Sequence, residues 1–195
     1  MKNRFIFILT GCLALMFSGC KGKKKKAEKS SFISALSIIE GQIKDIDTSL
    51  YTIIKVNYRD SITRDTEYIP RENFRLIAKD FLDIADLSPE RFKEENIPGP
   101  TDKLSTISYK PIDPSNEEIQ HIDFIIDPDL AVIGKSVIKT IYIDKSFSNK
   151  DSAVQKRLLW QMDHSFQVST TRQLPGQPEI NSMYSVIWND EENHD

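Results

Sequence analysis

The sequence is poor in cysteine, in glycine and in long apolar runs. It has two cysteines and seven glycines in 195 residues, and so little glycine argues against a repetitive or fibrous protein. Its longest apolar stretch, from Phe5 to Phe17, covers thirteen residues, whereas a helix that crosses a bilayer needs roughly 20. The chain also lacks a glycine-rich phosphate loop, a paired-cysteine metal motif and a GxSxG elbow. No motif therefore assigns a catalytic residue, a metal ligand or a cofactor.

The first twenty residues have the pattern of an export signal. Basic residues at positions 2 and 4 precede the apolar stretch, and two small residues stand directly before Cys20. The sequence Phe17-Ser18-Gly19-Cys20 resembles the lipobox of bacterial lipoproteins, which usually has Leu where Phe17 stands. The resemblance implies that residues 1–19 are a cleaved signal peptide, and that Cys20 then carries lipid on its sulfur and on its amino group.

Two other interpretations of this segment remain. A secretory signal cut at another bond would leave Cys20 as a free thiol or in an intermolecular disulfide. An uncleaved membrane anchor conflicts with the shortness of the apolar stretch. Cleavage before Cys20 removes Cys12, the other cysteine, so the mature chain would have no pair for an intramolecular disulfide. We therefore expect lipid at Cys20.

Residues 20–29 are expected to form a basic tether. Its candidates for contact with anionic headgroups are Lys21, Lys23, Lys24, Lys25 and Lys26. The segment has no large apolar residue and cannot build a core, and each cation near an anionic surface contributes about 1 kcal/mol. A solvated spacer is the alternative. In lipoprotein sorting, retention in the inner membrane often follows an Asp after the cysteine, and an acidic run there can mark export to the cell surface. Lys21 matches neither pattern, which predicts the periplasmic face of an outer membrane.

Residues 30–195 are expected to form a single acidic domain. Residues 1–29 hold eight basic residues and one acidic residue, which leaves eighteen basic and twenty-eight acidic residues in the domain and a net charge of −10. This charge disfavours nucleic acid, whose binding depends on Lys and Arg at phosphates. The expected partners are the membrane, through the N-terminal lipid, and other envelope proteins.

Hydrophobic periodicity predicts an α+β fold, with N-terminal helices on one face of an antiparallel β-meander of about five strands. Apolar residues recur at spacings of four and three from Phe32 to Ile53, a stripe that either packs on the protein's own sheet or forms a dimer interface. The stretch 53–58 is either helical or extended, and 57–67 is expected to be a connection. Pro70 and Ser88 mark the starts of a second and a third helix.

After Pro100 the apolar residues alternate with polar ones, which is typical of strands. The predicted strands are Ser105–Lys110, Ile119–Ile126, Ser136–Asp144, Ala153–Thr171 and Glu179–Asn189. The short turns between them indicate antiparallel neighbours. Five residues on the apolar faces of the last two strands are candidates for binding a lipid or another apolar ligand, with an ordinary core as the alternative: Trp160, Met162, Phe166, Tyr184 and Trp188.

The histidines give weak chemical signals. Asp163, His164 and Ser165 contain the residue types of a hydrolase triad, but neighbours along a strand point to opposite faces. We expect His164 to be a core histidine bonded to the backbone or to a nearby side chain. His121 and Asp123 share a strand face and could begin a metal site, but such a site needs three or four ligands, so a solvated polar face is the preferred interpretation.

Short segments of the domain are similar to uncharacterised lipoproteins of Gram-negative bacteria. They are 45–51 (Asp-Ile-Asp-Thr-Ser-Leu-Tyr) and 159–168, which runs from Leu-Trp-Gln through Phe-Gln-Val. The resemblance implies an envelope location and gives no information on activity. The predicted function is a membrane-anchored envelope lipoprotein that acts as a non-catalytic binding or assembly module. A carrier of lipid or another apolar ligand is the first alternative, and an envelope hydrolase that uses some of the many carboxylates is the second.

Overall fold

The computed structural model describes residues 32–60, 62–99, 104–127 and 137–189. In these ranges nine strands form one antiparallel sheet with the order β2-β1-β9-β8-β7-β6-β5-β4-β3. The strands are β1 (Ile54–Tyr58), β2 (Arg64–Tyr68), β3 (Phe92–Pro98), β4 (Ser105–Pro111), β5 (Ile119–Asp127), β6 (Val137–Ser148), β7 (Ala153–Gln161), β8 (Ser165–Gln173) and β9 (Ile180–Ile187). From β3 to β9 each strand pairs with the next one along the chain, and the β1–β2 hairpin joins β9 through β1.

The described helices are fewer and shorter than the strands. They are α1 (Ala35–Thr48), α2 (Phe74–Ile77) and α3 (Lys79–Leu82), with 3-10 turns at Arg71–Asn73 and Pro114–Asn116. Ser34 caps α1, because its hydroxyl accepts a hydrogen bond from Ser37 N at 3.2 Å. None of the helices in the described ranges has the length and apolar character needed to cross a bilayer.

The core lies between the helices and one face of the sheet, called here the inner face. Its fully buried sheet residues are Phe92, Tyr109, Ile122, Phe124, Ile141, Ile143, Leu158, Trp160, Phe166, Val168 and Val186. From α1, Ile39, Ile43 and Ile46 are buried in the same cluster. The apolar stripe of α1 therefore packs on the protein's own sheet, the first of the two predicted alternatives. Leu50, which lies beyond the end of α1, is 98% exposed.

The predicted arrangement of helices on a five-strand meander is wrong, since the sheet has nine strands. Two of the missed strands are the edges of the sheet. All five residues of β2 are exposed, and four of them, 64–67, lie in the predicted connection; in β3 only Phe92 is buried. An edge strand that buries neither face has no alternation of apolar and polar residues, so periodicity cannot find it. The segment predicted as the third helix forms a single hydrogen-bonded turn, in which Arg91 N and Phe92 N donate to Ser88 O, and then continues as β3.

The predicted fourth strand is in fact two strands. β7 and β8 form a hairpin in which Trp160 pairs with Phe166 and Gln161 with Ser165. The turn has no glycine, proline or asparagine, and Asp163 adopts a left-handed backbone with φ of 59°. Paired residues of antiparallel strands point to the same face, so Trp160 and Phe166 share a face as predicted although the strand folds back on itself.

Candidate binding face of the sheet

The five predicted apolar-ligand residues come together in the core. The rings of Trp160 and Phe166 stack with centroids 5.2 Å apart, and the Trp188 ring lies 5.3 Å from Trp160. Met162 and Tyr184 are partly buried against the same cluster, and Tyr184 Oη donates to Ile77 O at 3.2 Å. A pocket bordered by Tyr51 and Arg71 and another bordered by Asp83 and Lys145 contain none of the five in their linings. Their role as a ligand site stays a prediction.

Other predicted residues are placed as follows. Cys20 and the lysines of the tether lie outside the described residues. His164 lies in the β7–β8 turn, not in a strand, and its Nδ1 is bonded to Asn189 O, which agrees with the expected backbone partner. His121 Nε2 lies 3.8 Å from Asp123 Oδ2, and among the described residues no group of three metal-ligating side chains is present.

The face opposite the core, called here the outer face, is polar at its centre. One row across β5, β6, β7 and β8 consists of His121, Asp144, Arg157 and Ser169, which are register partners from strand to strand. Asp144 and Arg157 therefore place opposite charges on neighbouring strands, at the separation of directly paired side chains, about 4.5–5.5 Å between Cβ atoms.

Asp144 is held firmly at the centre of this row. Its side chain is 9% exposed, and Gln155 Nε2 lies 3.1 Å from each carboxylate oxygen. On one side of Asp144 the His121 ring lies against Tyr142, with centroids 5.2 Å apart. Burial, and then the negative charge of Asp144, raise the pKa of the Tyr142 hydroxyl. The hydroxyl therefore stays protonated at neutral pH and can donate a hydrogen bond.

Two groups on the outer face have unused hydrogen-bonding capacity. Asp123 Oδ1 is buried and has no hydrogen-bond partner among the described residues. Arg157 is exposed, and its side chain makes no hydrogen bond or ion pair within the described part of the chain. A carboxylate oxygen without a donor is costly when it is buried, so the described residues leave the Asp123 carboxylate incompletely stabilised.

Sequence reasoning found this face only in part. It placed His121 and Asp123 together on a solvated strand face, but it did not connect them with Tyr142, Asp144 or Arg157. Alternation along the strands assigns each of these residues to a face. The register that makes them neighbours depends on pairing across strands, which a single sequence does not reveal.

Comparisons with protein-family models, with curated proteins and with solved structures return no match. The interpretation of the outer face therefore rests on the residues of this chain alone.

Proposed function

We propose that this chain is a lipid-anchored protein of a bacterial cell envelope, and that it acts without catalysis by binding another envelope protein through the outer face of its sheet. The lipobox-like sequence at Cys20 and the basic tether support the anchor. The opposite charges of the tether and the domain support an arrangement in which the domain stands off an anionic membrane.

The observation that carries the binding proposal is the exposed guanidinium of Arg157, which has no hydrogen bond or ion pair within the described ranges and lies on the same face as the Tyr142 and Asp123 side chains. Arginine and tyrosine are enriched among the residues that dominate the energy of protein interfaces. The Asp123 side chain is 28% exposed and can accept a hydrogen bond from a donor of the partner, and a carboxylate or carbonyl from the partner would accept from Arg157. The outer face thus offers an unsatisfied donor and an unsatisfied acceptor, a combination that suits a protein surface.

The anchor is tested by labelling cells with a fatty acid and separating membrane from soluble proteins. The wild-type chain is expected to incorporate the label and to stay with the membrane, whereas Cys20→Ala is expected to lose the label. Cys12→Ala is the matched control, because Cys12 lies inside the apolar stretch, and it should be labelled normally. Label on Cys20→Ala would refute lipidation at that residue.

The binding face is tested by cross-linking in cells, followed by affinity purification and identification of the captured protein. Arg157→Glu is expected to reduce capture of the same partner at least tenfold, because loss of a dominant interface residue costs about 2 kcal/mol or more. Arg172→Glu is the matched control, since Arg172 lies on β8 with its side chain on the inner-face side and is also exposed. Equal capture by both variants, or repeated recovery of the chain alone, would contradict the proposal.

A further inference from the structure

A cavity of about 180 Å³ lies at the end of the sheet where β5 begins and the chain leaves α3. The charged residues in its lining are Asp83, Arg91, Glu117, Glu118 and Lys145. None of them is among the residues of the outer face described above. Lys145 lies on the inner-face side of β6, where it pairs with Lys156 of β7.

Lys145 is the unusual member of this lining. Its side chain is 4% exposed, although it carries an ammonium group. The Nζ donates to the backbone oxygen of Asp83 at 2.6 Å, and the Asp83 carboxylate lies 3.7 Å away on a side chain that is 89% exposed. The Phe147 ring adds a weaker contact at 5.3 Å. An ammonium has three N–H donors, and here one of them has a hydrogen-bond acceptor among the described residues.

The remaining charges divide into a neutral pair and two exposed acids, of which Asp83 is the ion-pair partner of Lys145. Arg91 and Glu117 neutralise each other through two hydrogen bonds, Nε to Oε1 at 2.7 Å and Nη2 to Oε2. The acids left over, Asp83 and Glu118, are exposed, whereas Lys145 is buried. The cavity therefore has a cation at its floor and carboxylates at its mouth.

We propose that this cavity binds a small zwitterion, namely an amino acid, whose carboxylate accepts hydrogen bonds from Lys145 Nζ and whose ammonium lies between Asp83 and Glu118. A buried charge is stabilised only when its hydrogen bonds are made, and the ligand carboxylate supplies the acceptors that Lys145 lacks. A simple anion would meet repulsion at the mouth, and a simple cation would meet it at the floor. This binding site is independent of the outer face and of its partner.

The volume limits the size of the ligand. At about 30 Å³ for each water-sized group, the cavity holds roughly six non-hydrogen atoms, which is the size of alanine. Pockets that take drug-sized ligands are larger, about 300–1,000 Å³. We therefore expect the smallest amino acids to bind and bulky ones to be excluded.

The test is isothermal titration calorimetry of the full chain in detergent micelles with alanine, and with acetate and ethylamine as single-charge probes. Alanine is expected to bind saturably and at least tenfold more tightly than either probe. Lys145→Met is expected to weaken alanine binding roughly 10- to 100-fold, the range for loss of hydrogen bonds to a charged group. Glu118→Gln, a change at an exposed side chain, should weaken it several-fold.

Lys156→Met is the matched control, because Lys156 is also a partly buried inner-face lysine but binds Asp80 at 2.6 Å outside the cavity. It should leave alanine binding within about twofold of wild type. Absence of saturable alanine binding, acetate binding as tight as alanine binding, or an equal loss in the Lys156→Met variant would each overturn the proposal. If Lys145→Met does not fold, Glu118→Gln and the comparison of the three probes decide the outcome.

Discussion

Replacing Gln42 by leucine tests how α1 is fixed to the sheet. The Gln42 amide is buried and makes two hydrogen bonds with the β7–β8 turn. Its Nε2 donates to Asp163 Oδ1 at 2.7 Å, and its Oε1 accepts from Asp163 N at 2.8 Å. Leucine fills nearly the same volume, so the substitution removes the hydrogen bonds without leaving a cavity.

The expected cost follows from these two bonds. A neutral hydrogen bond contributes about 0.5–1.5 kcal/mol and one to a charged group about 1.5–3 kcal/mol. Asp163 is exposed, so water replaces part of what Gln42→Leu removes. We therefore expect the free energy of unfolding to fall by about 2 kcal/mol. With a urea m-value of about 2 kcal/mol per molar, the unfolding midpoint should fall by about 1 M.

The control and a second substitution sharpen this test. Lys44→Leu lies on an exposed position of the same helix and should change the free energy by less than about 0.5 kcal/mol. Asp163→Gly removes the carboxylate and also relieves the left-handed backbone. Because Gln42 and Asp163 share a bond, the double variant should be more stable than the sum of the single effects predicts, by about 1 kcal/mol. A midpoint shift below about 0.2 M for Gln42→Leu, or strict additivity, would refute the reasoning.

Two further predictions concern stability. Burial raises the pKa of Tyr109 and Tyr184 to about 12 from the ordinary value of 10.0. The folded chain therefore holds the neutral phenols, and their contribution to stability is complete below pH 10 and is lost between pH 10 and about 12. A urea midpoint that does not fall between pH 10 and about 12 would contradict this. Arg71 donates to the carbonyl oxygens of Ser49 and Tyr51 just after α1. Arg71→Met should therefore lower the free energy of unfolding, measured by urea unfolding, by about 1–3 kcal/mol. An unchanged urea midpoint would contradict this prediction.

The parts of the fold that the sequence predicts are those that bury one face. In β5, Ile122, Phe124 and Ile126 are buried and their neighbours along the strand are not, and this alternation locates the strand to within one residue. The buried residues of α1 likewise recur at helical spacing, but the helix ends at Thr48, before the predicted stripe ends at Ile53. Such patterns are strong because a shift by one residue would expose the apolar set.

The errors have specific physical causes. In β3, the sequence Lys-Glu-Glu has helix-forming propensity, yet the strand is held by pairing with β4 from Phe92–Pro111 to Pro98–Ser105. The β7–β8 turn contains neither glycine nor asparagine, and the left-handed backbone of Asp163 is supported by Gln42, which lies 121 positions away. Propensity is local, whereas both structures depend on partners that are distant along the chain.

The candidate sites were harder to predict than the core for a related reason. Alternation assigns Asp144 to one face of β6 and Lys145 to the other, but it does not identify their neighbours on the adjacent strands. The value of Asp144 as part of a binding face depends on His121 and Arg157 from the neighbouring strands. The value of Lys145 depends on a connection between α3 and β3 that gives no periodic signal. A site formed by pairing across strands becomes visible only when the register is known.

The same register explains why α3 lies where it does. Lys145 and Lys156 are direct partners on β6 and β7 and point to the inner face, where two like charges side by side are destabilising. Each has its own acid from α3 or its end, Asp83 for Lys145 and Asp80 for Lys156. Residues three apart lie on one side of a helix, so α3 presents both acids to the lysine pair at once.

A four-residue helix is too short to be stable alone, and these ion pairs, together with the buried Phe81 ring, supply the tertiary contacts that hold it. Because the Asp83 carboxylate is exposed, Lys145 is the less fully compensated of the two lysines, which is why the ligand proposal falls on Lys145 and the control on Lys156.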